Sequence, residues 1–363
     1  MSTGVGKQTI TAGQSRAGGT PRPRLGFLGL GWIGRNRLQS VLQDDVAQVS
    51  AIADVCDASM DAAAALVPAA ARGHTLQDLL ATPLDGVVIG TPSAQHASES
   101  AAVLDAGIAV FCQKPLARTA AEASSVVERA RAANRLLGVD LSYRHLSATG
   151  AVTRLLRDGA LGGLYALDLT FHNAYGPDKA WYYDRALAGG GCVMDLGIHL
   201  LDLLRGWTGD RTWHVTAASL FTKGRPWTPA SQSVEDFAHV QLQSDDGMSA
   251  RVACSWGLPA GCDAVIDFTL HGTEAGARIH NVGGSFYDFM AERLTRDGRE
   301  VLVTPPDAWA GRALAAWIAG LARGGVFDAD ACRHVELAAT IDEIYDAASR
   351  PRPAARGKGL ASS

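Results

Sequence analysis

Six residues constrain the fold of this chain more than any others: Gly29-Leu30-Gly31-Trp32-Ile33-Gly34, lying between the apolar run 25–28 and the amphipathic stretch 33–43. As a bare pattern G-x-G-x-x-G is weak, but between a strand and a helix each glycine has a task. Gly29 permits the tight turn, Gly31 lets the backbone approach a pyrophosphate, and Gly34 lets helix and strand pack closely. Trp32 and Ile33 complete the opening of a helix whose unpaired N–H groups and positive dipole end suit an anion. Asp54 follows 20 residues after Gly34, at the end of the next apolar run, where a carboxylate can accept both hydroxyls of an adenosine ribose. A dinucleotide-binding Rossmann unit is therefore expected. Asp54 repels a 2′-phosphate, and Val55 and Cys56 offer no cation to receive one, so NAD is expected over NADP; Arg35 and Arg37 on the first helix weigh the other way.

The hydropathy pattern extends this unit. From Arg24 to about Leu141, short apolar runs at 46–53, 86–90, 108–112 and 137–141 alternate with amphipathic ones at 58–66, 95–106 and 120–134. That interleaving predicts a doubly wound parallel sheet covered on both faces. After Tyr143 the texture changes to strand-like segments at 165–173, 213–221, 236–243, 249–256 and 264–271, with few helices among them, and a mixed or mostly antiparallel sheet is expected. Helices are expected at 313–322 and 335–348. The division reads as a tail at 1–23, a dinucleotide-binding domain at 24–144, a second α/β domain at 145–350 and a tail at 351–363. The first tail is polar, with four bases through Arg24 and no acid; it lacks the surface to repay ordering and is expected to be flexible.

Composition narrows the function classes. The 363 residues carry 33 Lys and Arg against 37 Asp and Glu, a net charge of −4, so no field draws a polyanion; neither nucleic acid nor an acidic membrane is an expected partner. No run approaches the roughly 20 apolar residues of a membrane span, and the N-terminus lacks a secretory apolar core. A soluble, cytoplasmic protein is expected. Six cysteines without a C-x-x-C pair read as reduced core thiols.

Three further motifs carry chemistry. Thr91-Pro92-Ser93-Ala94-Gln95-His96 begins at the carboxyl edge of the expected sheet, where ligands of open α/β sheets bind, so Thr91, Pro92 and His96 are candidates for the cofactor site. His96 alone reads more readily as a capping or surface histidine than as a catalytic one. Gln113-Lys114-Pro115 ends the next run at the same edge and aims an ammonium past the nicotinamide, with a cis peptide open to Pro115. In Gly189-Gly190-Gly191-Cys192-Val193-Met194-Asp195-Leu196-Gly197-Ile198-His199-Leu200-Leu201-Asp202, α-helical geometry would set Asp195, His199 and Asp202 within about 60° of one another. This polar face suits acid/base work; a D-x-x-x-H-x-x-D metal site and a structural polar face compete with it, no fourth ligand is evident, and Asp202 is the member most readily given to structure. Tyr143, Arg144, His172, Trp181 and Tyr182 gather the aromatic faces and polar groups that a sugar needs. Arg144 and Arg185 equally suit a carboxylate, which keeps an acidic sugar open.

Taken in order and at similar separations, these motifs resemble the Gfo/Idh/MocA family of oxidoreductases. The similarity continues through Val234-Glu235-Asp236, His271-Gly272-Thr273-Glu274 and the C-terminal helices, from Arg24 to about Pro351. The resemblance implies a Rossmann domain, a C-terminal α/β domain with an open mixed, largely antiparallel sheet, homo-oligomerisation (dimer or tetramer) through that sheet's exposed face, and a sugar, inositol or related polyol as substrate. It places Lys114, Asp195 and His199 at the family's catalytic lysine, aspartate and histidine, with no metal. In oxidation His199 would take the hydroxyl proton, Asp195 would orient the imidazole and Lys114 would stabilise the alkoxide. One departure stands out: the family's E-K-P is Gln113-Lys114-Pro115, so Lys114 loses an adjacent anion while the amide can still bond a ribose hydroxyl. Two alternatives stay open, an NAD-retaining glycoside hydrolase or lyase using transient oxidation, and a non-catalytic dinucleotide-binding regulator, against which the retained Lys114, Asp195 and His199 argue.

Overall fold

The computed structural model describes residues 22–231 and 233–350. The expected tails lie outside the described residues except for Arg22 and Pro23, and these two are held: Arg22 pairs with Asp45, and the Pro23 carbonyl accepts from Gln48 N–H at 2.9 Å.

Six strands, β1 (Arg24–Leu28), β2 (Gln48–Ala53), β3 (Ala71–Gly73), β4 (Gly86–Ile89), β5 (Ala109–Gln113) and β6 (Leu137–Asp140), form an all-parallel sheet in the order β3-β2-β1-β4-β5-β6. Helices Trp32–Asp44, Ser93–Asp105 and Ala120–Ala133 make the crossovers. Parallel pairing forces every crossover to return the chain to the same edge, so Gly29, Asp54, Thr91 and Lys114, each just past a strand, converge there. The three-residue β3 carries no apolar run, which is why the pattern passes over it.

Nine strands form the second sheet: β7 (Leu164–Asn173), β8 (Trp213–Thr222), β9 (Arg225–Pro226), β10 (Phe237–Ser244), β11 (Ser249–Ser255), β12 (Ala264–Gly272), β13 (Gly276–Asn281), β14 (Phe289–Thr295) and β15 (Gly298–Val303). Their order is β15-β14-β13-β12-β7-β11-β10-β8-β9, and every pair is antiparallel except β7 with β11. One face of this sheet buries the helix Ile198–Thr208 in a single large core. The run Arg185–Thr208 is apolar and long enough to cross a membrane by length and composition alone, contrary to expectation, but 83% of that window is buried within this core.

The C-terminal segment departs from the expected division at 144/145. Helix Arg312–Ala322 returns to the first sheet, where Ala313, Leu314, Trp317 and Ile318 join Phe27, Val88 and Phe111 in one core. Trp317 packs on Phe111 at 5.6 Å between ring centroids. Gly86 and Gly138 exist to admit that indole, because a Cβ on either would stand 2.4 or 2.6 Å from it. Trp317→Ala should therefore destabilise the protein by about 3–5 kcal/mol, read from urea unfolding; a loss under about 1 kcal/mol would show that the helix is not part of this core.

Candidate active site

The glycine turn closes as its sequence demands. Gly29 has φ +84°, and a Cβ there would meet Gly90 at 2.6 Å; on Gly34 it would meet Gly29 O at 2.0 Å. Gly31 differs, for its Cβ position opens onto empty space at the N-cap of the helix Trp32–Asp44. That cradle, with the first-turn N–H groups of Trp32, Ile33 and Gly34, fits a dinucleotide pyrophosphate. Asp54 holds the turn from below, accepting from Leu30 N–H at 2.5 Å and Cys56 N–H at 2.8 Å, and its remaining lone pairs are left for ribose hydroxyls. The two arginines that weighed toward NADP are both engaged. Arg35 donates to Leu30 O at 2.6 Å, and buried Arg37 donates to Asp140 at 2.5 Å and Ser142 at 3.1 Å.

Lys114 crosses from this sheet to the other. Its ammonium donates to Asp195 Oδ1 at 2.5 Å and to the Asp195 carbonyl at 2.7 Å, with both side chains 15% exposed. The anion expected beside Lys114 from residue 113 is thus supplied by Asp195. The Gln113 amide donates to Asp140 at 3.1 Å and its oxygen accepts from Lys114 N–H at 2.9 Å, and each end keeps one further bonding position.

Asp195 and His199 do not sit as an α-helix would place them. Val193–Gly197 is a π-turn, in which Ile198 N–H reaches back five residues to Val193 O. The extra residue turns Asp195 toward Lys114 and toward Trp256, whose Nε1 donates to Oδ2 at 3.0 Å. His199 receives no hydrogen bond from Asp195. Its ring is fixed by Tyr143 (centroids 4.9 Å apart) and Phe171 (6.5 Å), and Nδ1 is buried without a partner among the described residues. Burial and nearby Lys114 push its pKa well down, so the imidazole is neutral. Asp202 is turned away again, bound by both arms of Arg144. Three carboxylate and imidazole groups on one predicted face therefore have three different neighbourhoods, and no metal-binding set of His, Cys, Asp or Glu occurs among the described residues.

Several expected ligands are corrected. His96 is 1% exposed and lies between Pro115 O (2.6 Å) and Thr91 O (2.7 Å); it fastens the Lys114–Pro115 turn, which is cis, to the β4 edge instead of facing a cofactor. Arg144 is spent on Asp202. His172 is on the wrong face: strand alternation points Phe171 at His199, so His172 points oppositely, against Phe237 (5.8 Å) and Ser255 (2.8 Å). Its neighbour Asn173 takes the catalytic face, on the strand beside the one that ends at Ser255, just before Trp256, and Asn173 Oδ1 is buried without a partner among the described residues. Trp181 stacks on Tyr182 at 3.8 Å, Tyr182 meets Trp256 edge-on at 6.5 Å, and so an aromatic wall adjoins Asp195. Thr91 donates to Glu99, and Pro92 caps the helix Ser93–Asp105.

The role of Glu235 is not legible in the Val234-Glu235-Asp236 match, since an acid before a strand resembles any surface glutamate. It is fully buried, and its Oε1 accepts from Gly191 N–H (2.9 Å), Val193 N–H (3.0 Å) and Tyr345 OH (2.9 Å). The π-turn bearing Asp195 is thus anchored at its start. A groove of about 1120 Å³, by contrast, lies at the opposite edge of the first sheet near Arg24, Gln48 and Asp85, and includes none of these groups.

Comparison with known proteins settles the family. The profile of the oxidoreductase family with NAD-binding Rossmann fold matches residues 24–141, and that of the GFO/IDH/MocA C-terminal domain matches 150–278. The chain belongs to the Gfo/Idh/MocA oxidoreductases. It is 29% identical to D-apiose dehydrogenase of Paraburkholderia graminis, over 90% of this chain and 88% of that protein. To D-glucoside 3-dehydrogenase of Escherichia coli it is 26% identical, over 68% and 76%. The crystal structure of aldose-aldose oxidoreductase from Caulobacter crescentus has the same fold, with a TM-score of 0.79 at 22% identity over 90% of this chain and 97% of that one. This member of the family is an NAD-binding oxidoreductase.

Two predictions rest on the part-buried Glu99 and the buried Asp140. Burial pushes Glu99 from its ordinary 4.5 to about 7, against the pull of its bond from Thr91. The unfolded chain then releases this proton first, so stability falls as pH rises from 4.5 to about 7 and levels off above. Glu99→Gln should remove that part of the slope in melting curves taken across the window; an unchanged slope would contradict the assignment. Gln113→Glu restores the family tripeptide but sets a carboxylate against Asp140, and we expect a loss of about 1–3 kcal/mol that Asp140→Asn relieves. Equal stability of Gln113→Glu and the parent in urea would refute it.

Proposed function

We propose that this enzyme transfers hydride between NAD and a secondary alcohol or ketone of a sugar, inositol or related cyclic polyol. The observation that carries the reading is the Lys114–Asp195 pair beside a neutral, buried His199, lodged between a dinucleotide cradle and an aromatic wall. Bound NAD supplies the hydride acceptor at its nicotinamide.

In oxidation, neutral His199 accepts the proton of the reacting hydroxyl. Lys114 donates to the developing alkoxide, and Asp195 keeps that ammonium aimed. This alters the expected division of labour, because Asp195 orients Lys114 and the rings of Tyr143 and Phe171 orient His199. Trp181 and Tyr182 offer a stacking face to the C–H side of a ring, and Asn173 Oδ1 accepts from a ring hydroxyl. The reading includes a cytoplasmic location, supported by free buried thiols at Cys112, Cys192 and Cys254, and homo-oligomerisation through the outer face of the nine-stranded sheet, supported by family membership.

NADH absorbance with a panel of sugars and inositols tests the activity. Lys114→Ala and His199→Ala should each lower kcat by ~10²–10⁴ while leaving NAD affinity, measured by calorimetry, nearly unchanged. Weakened NAD binding with kcat intact would move both residues from the reacting centre to the cofactor.

A further inference from the structure

We infer that the substrate is an uncharged polyhydroxylated ring, and that sugar acids, sugar phosphates and nucleotide-linked sugars are poor substrates; the inference rests on the dehydrogenase reading above. Among the described residues, the cations around the site are paired, stacked on rings or held in solvent. Lys114 and Asp195 neutralise each other at 2.5 Å. Arg144, the arginine next to Tyr143, is locked on the buried Asp202, whose side chain is 2% exposed, and drawing it away would strand that carboxylate. Arg185 lies over the rings of Trp227 (5.1 Å) and Tyr345 (5.6 Å), behind the glycine loop. Lys179, on the segment leading to Trp181, stands in solvent 3.1 Å from Asp178. His199 adds no charge, since burial and Lys114 keep it neutral.

What remains free is matched to hydroxyls. Asn173 Oδ1 is a buried acceptor without a donor, which an O–H satisfies and an ionised carboxylate or phosphate, having no proton to give, does not. The Trp181–Tyr182 stack and the edge of Trp256 present apolar area with no compensating positive charge. An anionic group placed there loses its water and gains no ion pair, whereas a neutral ring loses only water that Asn173 and the Lys114–Asp195 pair replace.

The test uses the full chain with saturating NAD and matched pairs: D-glucose with D-glucuronate, D-galactose with D-galacturonate, myo-inositol with its 1-phosphate, and UDP-glucose as the nucleotide-linked probe. At least one neutral ring should drive NADH formation, its charged partner should fall at least about 100-fold in kcat/KM, and the neutral rate should hold steady between about 50 and about 500 mM salt. Asn173→Leu should raise KM for the neutral ring more than it lowers kcat, with NAD affinity unchanged. A charged probe oxidised as well as its neutral partner overturns the inference and leaves the dehydrogenase reading standing. No NADH from either arm, with NAD bound, overturns both.

Discussion

The short ion pair between Lys114 and Asp195 is the joint on which the molecule's chemistry depends, because it ties the carboxyl edge of one sheet to the helix packed on the other. A pair as enclosed as this adds little net stability, since desolvation of two charges offsets their attraction, but removing either partner leaves the other stranded at a cost of about 3–5 kcal/mol. Its role is one of register. Each side of the joint has its own anchor: Gln113, Asp140, Arg37 and Ser142 fix the strand end below Lys114, while Glu235 and Tyr345 fix the turn bearing Asp195.

Those anchors also account for the chain's departure from the family tripeptide. The carboxylate absent at 113 stands instead at 140, buried and paired with Arg37. With Asp140 in place, the amide at 113 both donates to that carboxylate and accepts from Lys114 N–H, which a carboxylate could not do. A second carboxylate would make a buried like-charge contact. The amide is thus matched to the neighbouring strand, and Lys114 finds its counter-ion across the interdomain joint.

How much of this was legible in the sequence depends on whether the signal is local. The first sheet is written in short apolar runs and in a glycine turn whose context is decided within 30 residues, so strands and helices fell within a residue or two of their expected limits. The strands Gly276–Asn281, Phe289–Thr295 and Gly298–Val303 were missed because Arg278, Glu292 with Arg293, and Arg299 with Glu300 interrupt runs that are already short. At the site, residue types were readable and partners were not. Asp195, His199 and Asp202 share a face only if the helix is α throughout, and a single π-bond sends them to three environments. His172 and Asn173 differ by one residue and hence by a whole face of the sheet, a distinction settled by register with β11 and by the packing of Phe171. Arg144 looked like a ligand for substrate because its partner lies 58 residues away.

The return of helix Arg312–Ala322 to the first sheet bears on how the protein is made. A ribosome emits the glycine turn and all six parallel strands by residue 140, yet Trp317, which covers Phe111 and fills the hollows over Gly86 and Gly138, emerges only after the entire nine-stranded sheet has been synthesised. At ordinary elongation rates that gap is on the order of ten to thirty seconds. Throughout it part of one apolar face of the nascent sheet, around Phe111, Gly86 and Gly138, stays uncovered, while the helices already made shield the rest. The core of the dinucleotide-binding half is thus completed by a helix made after the second sheet, with the helix Arg333–Ser349 still to follow.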